Sequence, residues 1–436
     1  MTKIEFKKIG INGEGIGYLD KTPVFCDGVL PGETADVLIE QGEERYHRAK
    51  LREVLIPSLD RVEPVCPYAR ECGGCGMMHA SYDAQLQYKK QLLEEALWKY
   101  GHVKRELVRD VHPAEHIIHY RTSCKLPVQE ADGKLVSGMY RPNTNHFVPI
   151  SHCPAHTTEL EETRIAVLDV LNRHHLKAFD AKTKKGIRYI VLRTIQGNSQ
   201  LTLVTGNDLL SAECIHDLMT IPGMKSLSRS TNTRRKGPSI FGTTPAILAG
   251  DKTLMFHING LELQLSPESF FQLNVDQAEK LYAETIAHVD NCKTLVENYC
   301  GVGAMSLMAA KKVQHTIGIE VIDKAVQNAA ANAERNQIGN ARFFTADAAE
   351  GYREIARKRK IDSLLIDPPR SGMDDALLKA VSENQPDRII YVSCNPATLA
   401  RNIMELKHAD YQVRTVIPFD MFPNTPHVES ITVLTK

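Results

Sequence analysis

The hydrophobic period changes along the chain. From residue 1 to about 57, short β-rich runs (KTPVFCDG, ADVLIEQ and YHRAKLREVLIP) are separated by Gly13, Gly15, Gly17, Gly28, Pro31 and Gly32. Short strands broken by turn residues predict a small β-barrel, with the size and texture of the oligonucleotide-binding type. A helix is predicted over about Tyr82 to Tyr100, where Leu86, Leu93, Leu97 and Trp98 approximate helical spacing and Gly101 supplies a terminator. From about Val108 to Leu265 the chain favours strands again. IRYIVLRTI, SQLTLVTG and LMFHINGLELQLS are alternating or β-branched, with one helix inserted at about Thr158 to His174. After about Asp276, helices and strands alternate, the pattern of a parallel sheet. The expected fold class is α/β: a barrel at 1–57, a central α+β unit at 58–275, and a C-terminal Rossmann-like unit at 276–436.

The chemistry-bearing residues of the last unit fall at the ends of its predicted strands, where an open α/β sheet binds ligands. A helix from Asp276 to His288 leads to the strand TLVENY, then Cys300-Gly301-Val302-Gly303, then the helical run AMSLMAAKK. The glycine turn lets a nucleotide-like ligand approach the backbone, although alone it is equally a tight turn. Glu297 lies at the end of that strand, and Glu320 ends HTIGIE about twenty residues on, where a carboxylate can accept from ribose hydroxyls. Asp347, in FFTADA, ends a third strand, near where an adenine would lie. Any one of these carboxylates could be a helix cap or a surface charge; their serial recurrence is what favours a nucleoside site. Asp367 ends a further strand in IDSLLIDPPRSGM, and its two prolines stiffen the loop that follows. IIYVSCNP then presents Cys394 on a proline-closed turn, placed as a nucleophile, and PHVES puts Glu429 immediately before the last strand.

The ten cysteines are not distributed like a disulfide framework. Cys66, Cys72 and Cys75 are crowded into VCPYARECGGCGMMH, a C-x5-C-x2-C spacing with glycines that allow tight folding around a metal. Zinc and iron–sulfur sites both take four ligands. Cys153, which like Cys66 precedes a proline, is the best fourth candidate; Cys124, in the strand-like YRTSCKLPV, is the next, and His79 and His152 are substitutes. Spacing alone does not separate zinc from an iron–sulfur cluster.

Composition narrows the setting. Fifty-three basic and fifty-three acidic residues cancel, so a nucleic-acid partner would need a local patch. The candidate lies between Ala181 and Ile240, where Lys182, Lys184, Lys185, Arg188, Arg193, Lys225, Arg229, Arg234, Arg235 and Lys236 outweigh Asp208, Glu213 and Asp217. MTKIEFKKIG has no apolar core of a secretory signal and no run of eighteen apolar residues occurs, so a cytoplasmic protein with no membrane partner is expected.

Taken together, SPESFFQLN, NYCGVG, IDPPRSG, YVSCNP and PHVES occur in the order and spacing of the RNA (uracil-5-)-methyltransferases, and the chain resembles that family over essentially its whole length. The N-terminal module resembles a TRAM domain, and the cysteine loop with Cys153 is similar to the [4Fe-4S] ligands of the branch that modifies 23S ribosomal RNA. The tRNA branch typically lacks both features. The resemblance implies S-adenosyl-L-methionine as methyl donor, 23S rRNA as partner and a monomer acting on a base flipped from its stack. It also implies that the central unit binds RNA and that the cluster is structural. By the same resemblance Cys394 is the nucleophile, Glu429 the base, and Asp367 their support. Gln272, Tyr299, Gly301, Glu320, Asp347 and Asp367 would serve the cofactor, while Phe270 and Phe271 are either site or core. Two departures stand out: Asn298 replaces an apolar residue before the glycine loop, and Cys26 falls where an aliphatic strand residue is usual. The competing expectations are a folate-dependent uridine methyltransferase, disfavoured by the strand-end carboxylates, and a non-catalytic RNA-binding protein, disfavoured by intact Cys394 and Glu429.

Overall fold

The computed structural model describes residues 2–40, 45–235, 237 and 239–436. At the N-terminus, β1 (Thr2–Ile9), β2 (Gly15–Leu19), β3 (Thr22–Cys26), β4 (Thr34–Ile39) and β5 (His47–Ile56) form a closed barrel in the order β1-β2-β3-β5-β4. Alternation explains its core: Ile4, Phe6, Val24, Cys26, Ala35 and Val37 point inward while charged neighbours face out. Cys26 is therefore a small buried hydrophobe. Gly15 and Gly17 permit the tight winding, since a Cβ on either would lie 2.4 Å from Val29 or Ile4.

The cysteine loop leads into α1 (Tyr82–Gly101), capped by Ser81 and ended by His102 in the left-handed region. Its buried face is Ala84, Gln85, Tyr88, Lys89, Leu93 and Leu97. Trp98, expected on that face, is instead 54% exposed, stacked under Arg105.

The central unit is a seven-stranded sheet ordered β12-β11-β10-β9-β6-β7-β8. Its strands are β6 (Ser123–Ala131), β7 (Lys134–Tyr140), β8 (Phe147–Pro149), β9 (Ile187–Ile195), β10 (Asn198–Thr205), β11 (Met224–Thr231) and β12 (Ala246–Gly250). Helices α2 (Thr158–Arg173) and α3 (Ala212–Met219) pack on it, burying Leu160, Val167, Leu171 and Leu218 against Leu126, Ile190 and Leu203. The hairpin β13 (Leu254–Ile258) and β14 (Leu261–Leu265) shares its core with the C-terminal sheet through Phe256, Leu263 and Phe271.

The C-terminal unit runs α4 (Val275–Ala287), β15 (Thr294–Asn298), α5 (Ala304–Ala309), β16 (His315–Glu320), α6 (Asp323–Arg335), β17 (Ala341–Thr345) and α7 (Ala348–Lys358). It continues with β18 (Ser363–Ile366), α8 (Asp375–Asn384), β19 (Arg388–Ser393), α9 (Pro396–His408), β20 (Gln412–Phe419) and β21 (Glu429–Thr435). The sheet order is β17-β16-β15-β18-β19-β21-β20, parallel except where β21 pairs antiparallel with β19 and β20. The order in which successive strands are added reverses between β15 and β18, which run parallel, and this opens a crevice at their carboxyl ends. The central strands β18 and β19 are apolar along Leu364-Leu365-Ile366 and Ile389-Ile390-Tyr391-Val392, as burial on both faces requires. No helix among the described residues is long and apolar enough to cross a membrane.

Candidate active site

Cys394 follows directly on β19, in a turn fixed by its successor. The Asn395 carboxamide caps α9 by accepting from the Ala397 amide at 3.0 Å and donates to the Arg370 carbonyl at 3.0 Å. Thr398 donates to the same carbonyl and Arg401 to that of Ser371, so the loop after Asp367 is pinned against the turn that carries Cys394. β21 is antiparallel, so its first residue lies at the same edge as the last residues of β18 and β19; Ser393 pairs with Ser430. Asp367, Cys394 and Glu429 thus stand at the ends of three adjacent strands. Glu429 is the first residue of its strand rather than the one before it.

This edge is crowded with acid. Glu429 is 4% exposed, and burial, then the Asp367 charge, push its carboxyl up to about 8 against the pull of Arg370. Burial raises Asp367 to about 7. Glu297, 1% exposed, is raised to about 8 by burial, partly offset by a hydrogen bond from the Ser306 hydroxyl. The Cys394 thiol is pushed up to about 12 by burial and then by Glu429 and Asp367, with Arg370 opposing. Arg370 donates to His427 Nε2 at 3.1 Å, and burial together with Arg370 lowers His427 to about 4, leaving it a neutral acceptor. The thiol is therefore protonated near neutral pH and flanked by carboxyls that gain and lose protons in that range. Such a constellation suits a nucleophile that must be activated and a base that must be regenerated.

Across the crevice, Tyr299, Gly301 and Gly303 have φ of 64°, 53° and 86°. A Cβ on Gly301 would meet nothing within 4 Å, so this side of the turn is open. Gly303 is required by packing, because a Cβ there would lie 2.9 Å from Phe343 and 3.0 Å from Ala329. Glu320 ends β16, and its carboxylate accepts from the amides of Gly301 at 3.2 Å and Ile322 at 3.0 Å. Asp347 lies two residues beyond β17, exposed, and caps α7 by accepting from Ala349 and Glu350. Gln272 is buried; Phe271 is core, packed on Phe256 and Tyr282, whereas Phe270 is 66% exposed. Asn298 is buried with its Nδ2 on the Ala348 carbonyl and its Oδ1 without a partner among the described residues.

The four chosen thiols are all free and partly buried. Tyr68 ties the loop to the Cys153 segment through Ser151 at 2.7 Å, and Gly73 donates to the Tyr140 carbonyl at 3.2 Å. Cys153 has its own buried support. Its amide donates to Glu161 at 3.0 Å, and Glu161 is held by Arg164 and His156. Burial raises the other three thiols, Cys75 to about 12, and a Cys153 thiolate adds to each of those shifts, which marks the four as neighbours. Arg121 acts in the opposite sense on Cys72 and Cys75, and its Nε is buried with no partner among the described residues. Cys124 is a core residue of β6, and His152 is exposed. Among the described residues, no three His, Cys, Asp or Glu side chains form a group suited to a single metal ion.

A family profile described as tRNA (Uracil-5-)-methyltransferase matches residues 81–436, and a TRAM domain profile matches residues 2–51. The chain belongs to this methyltransferase family. An uncharacterized RNA methyltransferase of Listeria innocua is 35% identical to it over 97% of this chain and 95% of its own length. One from Caldanaerobacter subterraneus is 34% identical over 100% and 98%. Among solved structures, the Pyrococcus abyssi tRNA (uracil-54, C5)-methyltransferase, in complex with S-adenosyl-L-homocysteine, matches with a TM-score of 0.80 and 25% identity, covering 100% of both chains. The TRAM-type barrel and the methyltransferase fold are thus as the motifs implied. That Pyrococcus protein spans the whole architecture, so the architecture is not confined to enzymes of ribosomal RNA.

The basic stretch of this methyltransferase divides in two. Arg193 is turned inward onto Gln200 and the Ser269 carbonyl, Arg229 onto the Asp208 carbonyl, and Arg188 onto Asn232 and the Arg234 carbonyl. Lys182, Lys184, Lys185, Lys225, Arg234 and Arg235 remain exposed; Lys236 lies outside the described residues. The sequence pattern does not distinguish these two sets, because a half-buried arginine satisfied by carbonyls and amide oxygens carries no signature along the chain.

Proposed function

We propose that the protein transfers a methyl group to C5 of a specific uridine in 23S rRNA, giving 5-methyluridine. The observation that carries this is the meeting of Cys394, Asp367 and Glu429 on three adjacent strand ends beside the open glycine turn. C5 of uracil is too weak a nucleophile to take a methyl group unaided. Attack of Cys394 sulfur on C6 places carbanion character at C5, splitting one difficult step into two. The thiol proton goes to a neighbouring carboxylate, for which Asp367 is suited. S-adenosyl-L-methionine supplies an electrophilic methyl group on its sulfonium. Glu429 then removes the C5 proton, the C5=C6 bond re-forms, and the electron pair of the breaking C6–S bond returns to Cys394. The open side of Gly301 and the polar groups at Glu320, Tyr299, Gln272 and Asp347 fit an adenosyl amino acid, with Glu320 toward the ribose.

Cys66, Cys72, Cys75 and Cys153 would hold a [4Fe-4S] cluster. The four thiols are close enough for a Cys153 thiolate to raise the other three, and Arg121, whose buried Nε has no partner among the described residues, suits the negative charge of such a cluster. The units assigned to 1–57, 58–275 and 276–436 would act as barrel, RNA grip and catalyst, the exposed lysines and arginines of the central sheet gripping phosphates.

A tRNA substrate is the second reading, favoured by the full-length match to the Pyrococcus protein. The deciding experiment incubates anaerobically purified protein with methyl-labelled S-adenosylmethionine and, separately, 23S rRNA or tRNA from cells lacking the gene. Label in 5-methyluridine of 23S rRNA supports the proposal, and label confined to tRNA supports the second reading. No label in either RNA overturns both and points to a folate donor or to binding without catalysis.

A further inference from the structure

Glu429 is fixed on one side by the ladder of β21, but on the other side it hangs from the loop of residues 420–428. That loop is held by parts of the molecule remote in sequence. Asp420 pairs with Lys89 of α1 at 2.5 Å, both fully buried, and Lys89 also donates to the Phe422 carbonyl at 3.0 Å. The Tyr120 hydroxyl donates to the Pro423 carbonyl at 3.0 Å.

Asn424 is the hub. It sits in the left-handed region at φ 66°. Its amide donates to Gln85 Oε1 at 2.8 Å, its Oδ1 accepts from Gln85 Nε2 at 3.1 Å, and its Nδ2 donates to the Ile117 carbonyl at 2.7 Å. Its carbonyl accepts from the Met77 amide at 2.9 Å, and Met77 is the second residue after Cys75. Pro426 packs against Gly13 of the barrel, where an added Cβ would lie 3.4 Å from it. None of these groups is among the reacting ones, yet each fixes the segment that ends in the base. A displacement of about 1 Å at a catalytic group can cost about a hundredfold in rate.

We propose that Asn424, clamped between Gln85 of α1 and Met77 of the cysteine loop, is a positioning residue that sets Glu429 for proton removal. The docking of the cysteine loop and α1 then governs the elimination step and leaves methyl transfer unaffected. The inference rests on the reading of Glu429 as the base. A displaced Glu429 leaves the sulfur–C6 bond formed and the methyl group delivered, with the C5 proton still in place and the RNA covalently attached.

The test is a single turnover of the full-length protein with methyl-labelled S-adenosylmethionine and 23S rRNA, or tRNA if that is the RNA labelled above. Denaturing gels separate labelled RNA–protein adduct from labelled free RNA. For Gln85→Leu, label should enter RNA within about twofold of the normal rate while adduct decay slows about tenfold or more. Asn424→Gly, which keeps the left-handed backbone and loses the carboxamide, should behave alike and serves if Gln85→Leu does not fold. Equal slowing of both steps, or no change in either, overturns the proposal. Glu429→Gln is the control: if it accumulates no adduct, the assignment of the base itself has failed.

Discussion

Replacing Glu429 by glutamine should abolish release of product while stabilising the protein above neutral pH. In the unfolded chain this carboxyl ionises near 4.5; in the folded protein it holds its proton to about 8. Between those values the folded state binds more protons than the unfolded state, so this residue lowers stability as pH rises through the window. The penalty is absent below about pH 4.5 and complete above about pH 8. At about 1.4 kcal/mol per tenfold change, it reaches at most about 5 kcal/mol. Glutamine has nearly the same shape and no such penalty. Wild type and Glu429→Gln should therefore melt together near pH 4, and the variant should be the more stable by about 2–5 kcal/mol near pH 9. Urea melts followed by far-ultraviolet circular dichroism suit the measurement, because Trp98 is half exposed and a poor fluorescence reporter of the core. A difference that does not change between the two pH values, or a variant less stable near pH 9, would refute the account of this carboxyl.

Two further outcomes follow from packing. Lys89→Met strands the buried Asp420 carboxylate, whose Oδ2 is already without a partner among the described residues, and should cost about 3–5 kcal/mol in urea melts. Adding Asp420→Leu to that variant should recover most of the loss. Gly303→Ala forces a left-handed alanine against Phe343 at 2.9 Å, so it should lower stability by about 1–3 kcal/mol and weaken S-adenosylmethionine binding in calorimetry, leaving RNA affinity in gel shifts unchanged.

The alternating pattern after Asp276 made the C-terminal sheet legible, because its central strands are largely apolar and β15, β16, β18 and β19 end at or next to a chemically marked residue. HTIGIE and IRYIVLRTI coincide with β16 and β9. β1 was not legible: TKIEFKKI carries its charges on the outward face, and burial of Ile4 and Phe6 comes only with barrel closure. The anchors of the loop before Glu429 were equally hidden. Gln85 and Lys89 read as the polar face of a surface helix, and nothing in their local sequence reports that Asn424 and Asp420, more than three hundred residues away, are waiting for them. Hydrophobic period predicts which face turns inward only when that face is apolar. Asp347, expected at a strand end, lies two residues beyond β17, as the N-cap of α7.

The insertion of β21 between β19 and β20 ties the fates of nucleophile and base together. An enzyme that bonds covalently to RNA is hazardous when damaged, since one that attacks but does not let go would jam its substrate permanently. Here a chain that stops anywhere between Cys394 and Glu429 lacks Glu429 and, in the same stroke, the strand that pairs with β19 beside Cys394. On the proposed mechanism, truncated products of translation would lose both functions together.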